Sequence, residues 1–328
     1  MPKPILRDND IDLKPLQNKH VVILGYGNQG RPHALNLRDS GIQVKIGVRP
    51  NSLKRDDALA DGFEVLPIPD ALTWGDVIML LMPDEVMGDV YEESIAPYLR
   101  AGQSLGFCHG LVIHEGWVKP KEDLNVFLVA PKAQGRGVRN KYVAGSGVPG
   151  LYSVHQDATG ETEKIALAYA KALGCGRVGI MPTTFAEETI CDLFSEQTVL
   201  CGGLTSLIKN AFDTLVEGGF SPEVAYFECL YEVKLIADLL HERGINGMRT
   251  AISSTALYGD ISRGEQLIDG HVRENMRRTL DDIVSGRFSE AMRQEFAQGK
   301  PDIQQALLKD EQHLIERTHR DLHERLKF

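Results

Sequence analysis

Residues 20–30 read HVVILGYGNQG. A short apolar run ends in glycines at 25, 27 and 30, and the stretch that follows has helical spacing up to Ser40 and Gly41. Strand, glycine turn and helix therefore stand in the order of a dinucleotide-binding GxGxxG unit. In such a unit the glycines permit a tight turn and close approach of a pyrophosphate, whose charge meets the helix N-terminus. Glycines also cluster in ordinary βα turns, so the surrounding chain decides the fold.

Further apolar runs continue on the C-terminal side: VKIGVR (44–49), EVLP (64–67), VIMLLMP (77–83), SLGFCHG (104–110) and NVFLVAPK (125–132). Helical segments lie between most of them, and near-continuous apolar runs are the mark of buried parallel strands. The alternation predicts a doubly wound, Rossmann-like α/β sheet. GLYSVHQ (150–156), a helix through 161–173 and RVGIMP (177–182) extend it.

The end of the second run bears on the choice of dinucleotide. An NAD site usually carries an acid there for the ribose hydroxyls, whereas this chain has Arg49, Ser52, Lys54 and Arg55. Basic groups with a hydroxyl suit a 2′-phosphate, so NADPH is expected over NADH. A solvated basic loop is the plainer alternative, since Asp56 and Asp57 follow closely. Ligands of such sheets bind outside the carboxyl ends of the strands. His109 in FCHG and Lys132 in APKAQG stand at two such ends, where chemistry or simple loop structure both fit.

From Thr184 the pattern becomes helical, over 185–217, 222–243, 265–285 and 288–297. Ser221 is a plausible N-cap before Pro222, and Gly218, Gly219 and Gly244 supply stops. Two domains are expected, 1–183 of α/β type and 184–328 of all-α type. The polar tail from Pro301 reads as an exposed amphipathic helix. Within the helical half, Asp192 and Glu196 in TICDLFSEQTVL are four residues apart, as are Glu228 and Glu232 in AYFECLYEVKLI. Residues so spaced share a helix face, with Cβ atoms roughly 5–6 Å apart. Their neighbours are apolar or small, and neither pair has an obvious basic partner in its own turn. Two such helices meeting would gather four hard oxygen donors, a set suited to Mg²⁺ and to two ions. A solvated acidic face fits the same spacing.

Composition bounds the remaining classes. A chain of 328 residues is long enough for two cores, and a net charge of −10 argues against non-specific binding to nucleic acid or an anionic membrane. No apolar run reaches the length of a membrane span, and the first residues lack the apolar core of a signal peptide. The five cysteines, at 108, 175, 191, 201 and 229, form no CxxC, so neither a disulfide framework nor a zinc site is indicated. A reducing cytoplasm is the expected compartment.

These motifs together resemble the short-form, class I ketol-acid reductoisomerases of branched-chain amino-acid synthesis. The resemblance runs through GYGNQGRPHALNLRDSG, RPNS, LMPDE, HGLVIH, VAPK, VPGLYSVHQDATG, TTFAEETICDLFSEQTVLCGG, AYFECLYEVKLIADL and MRTAISSTALYGD, so it covers almost the whole chain. It implies a Mg²⁺-dependent alkyl shift of a 2-hydroxy-2-alkyl-3-oxo acid such as 2-acetolactate or 2-aceto-2-hydroxybutanoate. NADPH reduction to a 2,3-dihydroxy acid follows, serving valine and isoleucine synthesis. By that resemblance Asp192, Glu196, Glu228 and Glu232 hold two Mg²⁺ ions. His109, Lys132 and Glu232 are catalytic, and Ser253 binds the substrate carboxylate. Gly25, Tyr26, Gly27, Asn28, Gln29, Gly30, Arg49, Ser52, Lys54, Asp84, Glu85, Val86, Met87 and Gly135 contact the cofactor. It also implies a knotted helical domain shared between subunits, with Glu228 and Glu232 coming from the partner of a homodimer or larger homo-oligomer.

The chain departs from the family pattern in places. Arg31 and Pro32 stand at the helix start, Leu111 and Val112 follow His109, Leu257 replaces an acid near Ser253, and AQGR follows Lys132. Those changes leave other readings open: a paralogue running the same reaction on a different substrate, a plain NADPH-dependent hydroxyacid dehydrogenase, or a non-catalytic NADPH-binding scaffold.

Overall fold

The computed structural model describes residues 2–326. Eight strands form one sheet: β1 (His20–Leu24), β2 (Gln43–Val48), β3 (Val65–Pro67), β4 (Val77–Leu80), β5 (Ser104–Phe107), β6 (Asn125–Pro131), β7 (Gly150–Gln156) and β8 (Ile180–Pro182). Their order is β3-β2-β1-β4-β5-β6-β7-β8. All neighbours are parallel except β6 and β7, which run antiparallel with a register shift at Val126/Phe127. The chain reverses its direction of winding between β1 and β4, the switch point at which doubly wound sheets bind ligands.

Side chains of successive strand residues point to opposite faces, and the two apolar layers sort accordingly. Val21 and Ile23, Ile46 and Val48, and Val77 and Met79 join one layer with Ala34, Leu35 and Leu37 of helix α1 (Gly30–Asp39). Val22 and Leu24, Ile78 and Leu80, and Leu105 and Phe107 join the other. The central strands β1, β4, β5 and β6 are buried on both faces, which is why they read as unbroken apolar runs. Helices α2 (Arg55–Ala60), α3 (Asp84–Val90), α4 (Gly135–Val143) and α5 (Thr162–Ala172) also belong to this half, with further helical pieces such as Ile68–Trp74 and Leu111–His114.

Helix α6 (Phe185–Ser195) starts three residues after β8 ends, and the chain divides into two compact units within it, between Cys191 and Asp192. The second unit is wholly helical among the described residues. It comprises α7 (Gly202–Glu217), α8 (Pro222–Tyr226), α9 (Val233–Ala251), α10 (Ser254–Leu267), α11 (Gly270–Val284), α12 (Arg287–Ala297), α13 (Pro301–Glu311) and α14 (Leu314–Arg325). Two π-helical segments interrupt the long helices expected here, at Glu196–Leu200 and Phe227–Tyr231. Gly244, at φ 67° and ψ 178°, breaks α9, but the helix resumes beyond it.

The tail differs from the single exposed helix expected. It forms α13 and α14, and Ile315, Thr318 and Leu322 of α14 are buried. Their spacing of three and four residues puts them on one face, where Ile315 and Leu322 meet Phe212 and Tyr226. By contrast, α9 and α10 bury no residue in this chain, although they carry Leu235, Ile236, Leu240, Ile245, Tyr258 and Ile261.

Candidate active site and dinucleotide cradle

The glycine turn is built for close approach. Gly25 has φ +101°, and a Cβ there would sit 2.6 Å from the Leu81 carbonyl oxygen. A Cβ at Gly30 would lie 1.9 Å from the Gly25 carbonyl, so the third glycine lets α1 pack against the turn. Gly27 has open space around it, the room a pyrophosphate needs. Pro32 falls in the first turn of α1, where a missing N–H costs nothing.

The loop is gripped from the side of β6. Gln29 Nε2 donates to the Ala133 carbonyl at 3.2 Å. A Cβ on Gly135 would meet the Asn28 carbonyl at 1.5 Å, so glycine is required where α4 starts. Asp84 and Glu85 open α3, Val86 is exposed, and Met87 is buried in the core, holding that turn in place. In the basic loop, Ser52 N–H donates to the Arg49 carbonyl and Arg55 N–H to the Ser52 carbonyl, so the chain turns twice. Arg49 and Lys54 are exposed, Ser52 is half-buried, and Lys54 pairs with Asp57 at 2.9 Å. This arrangement fits a dinucleotide with an extra phosphate on its adenosine ribose.

His109 and Lys132 follow the carboxyl ends of the adjacent parallel strands β5 and β6. What joins them is Glu188, which the sequence reading did not single out. Glu188 Oε2 accepts the Gly110 N–H at 2.9 Å and lies 3.1 Å from His109 Nδ1, while Oε1 accepts from Lys132 Nζ at 2.9 Å. Gly110 allows α6 this close, since a Cβ would come within 2.5 Å of Thr189 Oγ1. Burial by itself would raise the Glu188 carboxyl. The His109 hydrogen bond and charge, with the Lys132 charge, outweigh that and hold it below the ordinary glutamate range. A carboxylate that is 2 % exposed is thus kept ionised by its partners.

One turn along α6 from Glu188 stands Asp192, half-buried. Glu196 opens the first π segment, Glu228 lies in the second, and Glu232 ends it, its N–H bonded to the Phe227 carbonyl at 3.1 Å. Glu228 and Glu232 are exposed. Among the described residues of one chain, the four acids form no group of three close enough to share an ion. Their donor atoms are all carboxylate oxygens, the chemistry Mg²⁺ takes. Ser253 caps α10, its Oγ accepting the Ala256 N–H at 3.1 Å. That leaves the hydroxyl proton to donate, at a helix N-terminus that favours an anion.

The family description "Acetohydroxy acid isomeroreductase, NADPH-binding domain" matches residues 15–179. "Ketol-acid reductoisomerase, C-terminal domain" matches residues 185–328. A curated relative, the ketol-acid reductoisomerase (NADP(+)) of Petrotoga mobilis (strain DSM 10674 / SJ95), is 48% identical over 311 residues, 95% of this chain and 94% of that protein. A solved NADH-preferring ketol-acid reductoisomerase from an uncultured archaeon is 42% identical with a TM-score of 0.96, covering 99% of this chain and all of that one. A semialdehyde dehydrogenase NAD-binding protein from Cupriavidus necator, at 18% identity and TM-score 0.63 over 82% of this chain, shares the fold alone.

Proposed function

The chain belongs to the ketol-acid reductoisomerase family, and from that premise we propose that it converts 2-acetolactate and 2-aceto-2-hydroxybutanoate into 2,3-dihydroxy acids for valine and isoleucine synthesis. It is an NADP-dependent oxidoreductase. The finer assignments are ours: residues 1–183 as the NADP domain, 184–328 as the metal, substrate and dimerisation domain, and a cytoplasmic location. No described helix is long and apolar enough to cross a membrane.

The observation that carries the reading is the Glu188–Lys132–His109 network at two strand ends, on a helix that continues into Asp192 and Glu196. Asp192, Glu196, Glu228 and Glu232 would hold two Mg²⁺ ions. When bound, these supply Lewis acidity to the substrate's ketone and tertiary hydroxyl. Glu188 fixes Lys132 and His109 in one geometry and keeps its own charge. Lys132 Nζ, 34 % exposed as a side chain, can reach a substrate oxygen and stabilise negative charge there. Glu232, exposed and acidic, serves as the proton carrier. Ser253 donates its hydroxyl to the substrate carboxylate. The glycine turn and the Asn28–Gly135 contact set the dinucleotide across the switch point, where its nicotinamide can face the strand ends.

A second copy of the chain belongs in the unit. Helices α9 and α10 present apolar side chains that this chain leaves unburied, and a stable monomer rarely does so over whole helices. We assign Glu228 and Glu232 of the partner subunit to each site. Leu111 and Val112, two of the departures beside His109, are buried in the core, so they alter packing rather than the polar site. That favours the ordinary family substrates over a specialised one.

The deciding experiment is NADPH oxidation with 2-acetolactate, with and without Mg²⁺. Mg²⁺-dependent turnover at ordinary enzyme rates is the expected result. NADPH oxidation of a hydroxyacid's oxo form without Mg²⁺, or none at all with both ligands bound, would overturn the assignment.

A further inference from the structure

Three donors from one stretch of chain converge on a single turn. Asp61, the residue after α2, accepts the Tyr26 hydroxyl on Oδ2 at 2.7 Å. Arg31 grips the same carboxylate with both arms, Nε to Oδ2 at 2.6 Å and Nη2 to Oδ1 at 3.0 Å. Arg38 Nη1 donates to the Asp61 carbonyl at 2.6 Å, and its guanidinium lies 5.0 Å above the Phe63 ring. The Tyr26 ring meets that same ring edge-on at 5.9 Å. Arg31 and Arg38 are seven residues apart, two turns of α1, so one helix face holds the turn.

The two ends of this clamp have different jobs. Tyr26 and Arg31 belong to the glycine turn and the first turn of α1, the part of such a fold that takes the pyrophosphate common to NADPH and NADH. Asp61 ends the segment that starts at Arg49 and carries Ser52 and Lys54, the groups assigned above to a 2′-phosphate. Within 49–62, Ala58 is buried and the other residues are exposed or half-buried. The position of the basic loop is therefore set mainly by its two ends, the end of β2 and the Asp61 clamp. The Arg31 charge is already matched by Asp61, whose carboxyl is held below the usual range chiefly by the Arg31 hydrogen bond.

We propose that Arg31, Asp61 and Tyr26 are positioning residues for dinucleotide choice, fixing the distance between the pyrophosphate loop and the loop that reads the 2′-phosphate. The inference rests on the assignment of Arg49, Ser52 and Lys54 to that phosphate. A clamp of this kind acts on NADPH more than on NADH, and it acts through either partner alike. A direct phosphate contact by Arg31 would behave otherwise, because freeing Arg31 from Asp61 would then strengthen NADPH binding.

The test is calorimetric titration of the intact protein with NADPH and with NADH, without substrate. Arg31→Ala and Asp61→Asn should each weaken NADPH by about tenfold and NADH by less than about threefold. The double variant should be no weaker than the worse single one, since the pair acts as a unit. Tyr26→Phe, which removes one hydroxyl and keeps the ring, should move the same way by less. Unchanged or tighter NADPH binding in Asp61→Asn would make Arg31 a direct ligand and sink the proposal. Equal losses for both dinucleotides, or no loss, would sink it too. Arg49→Ala separates the premise: if that variant loses NADPH and NADH equally, the basic loop does not read the phosphate, whatever Arg31 does.

Discussion

Glu188 is a carboxylate almost without water, satisfied by a backbone N–H, an ammonium and an imidazole. Replacing it by Gln removes the charge that Lys132 answers and that His109 bonds to. We expect Glu188→Gln to lower kcat by about a hundredfold or more while leaving NADPH affinity within about threefold. Steady-state assay beside NADPH titration reads both, and near-normal turnover would remove Glu188 from the mechanism. His33 makes a different point. It is fully buried on α1, 2.9 Å from the Tyr169 hydroxyl, and burial lowers its pKa to about 3. The folded protein keeps it neutral where an unfolded histidine takes up a proton, at about 6.5. Its effect is thus a loss of stability as pH falls from about 6.5 towards 3, with a slope approaching about 1.4 kcal/mol per pH unit. His33→Gln should flatten that slope between pH 6.5 and 5 relative to the unaltered protein; parallel curves would contradict the burial argument. At this scale the sequence was only partly legible. The spacing Glu188, Asp192, Glu196 is visible on the page, yet Glu188 gains its role from residues 56 and 79 positions away. Local reading has no access to such partners.

Elements were legible where one force acts. The central strands are buried on both faces, so apolar runs mark them, as β1 on 20–24; β7 also falls on 150–156 as read, although Val154 and His155 in it are exposed. The stretches 185–217 and 222–243 were visible as helical, but their π segments were not, and the helix expected over 265–285 is split between Leu267 and Gly270. The antiparallel direction of β7 was equally hidden, since it is set by pairing rather than composition. Gly244 shows the converse: a good local stop signal was overridden, and α9 continues past a break. The contact of α4 with the glycine turn gives a test at this level. Gly135→Ala places a Cβ 1.5 Å from the Asn28 carbonyl, so backbone must move. We expect a loss of about 1–3 kcal/mol in stability and weaker binding of both NADPH and NADH. Wild-type melting and binding would mean the loop and α4 are not in this contact in solution.

The partner subunit proposed above is testable on the whole molecule. If Glu228 serves the opposite subunit's site, chains carrying His109→Ala and chains carrying Glu228→Gln are each inactive alone. Co-expressed, they form hybrids with one intact site of two, restoring about a quarter of normal activity at random pairing. No restoration would place Glu228 in the same subunit as His109. The apolar faces of α9 and α10 also bear on how the protein is made. The α/β half has two apolar layers of its own. The helical half has a small core around Phe212 and Tyr226 and long helices with nothing buried. If the partner subunit proposed above covers those faces, maturation is second-order in nascent chains: slow when synthesis is sparse, and quick when two ribosomes work the same message side by side.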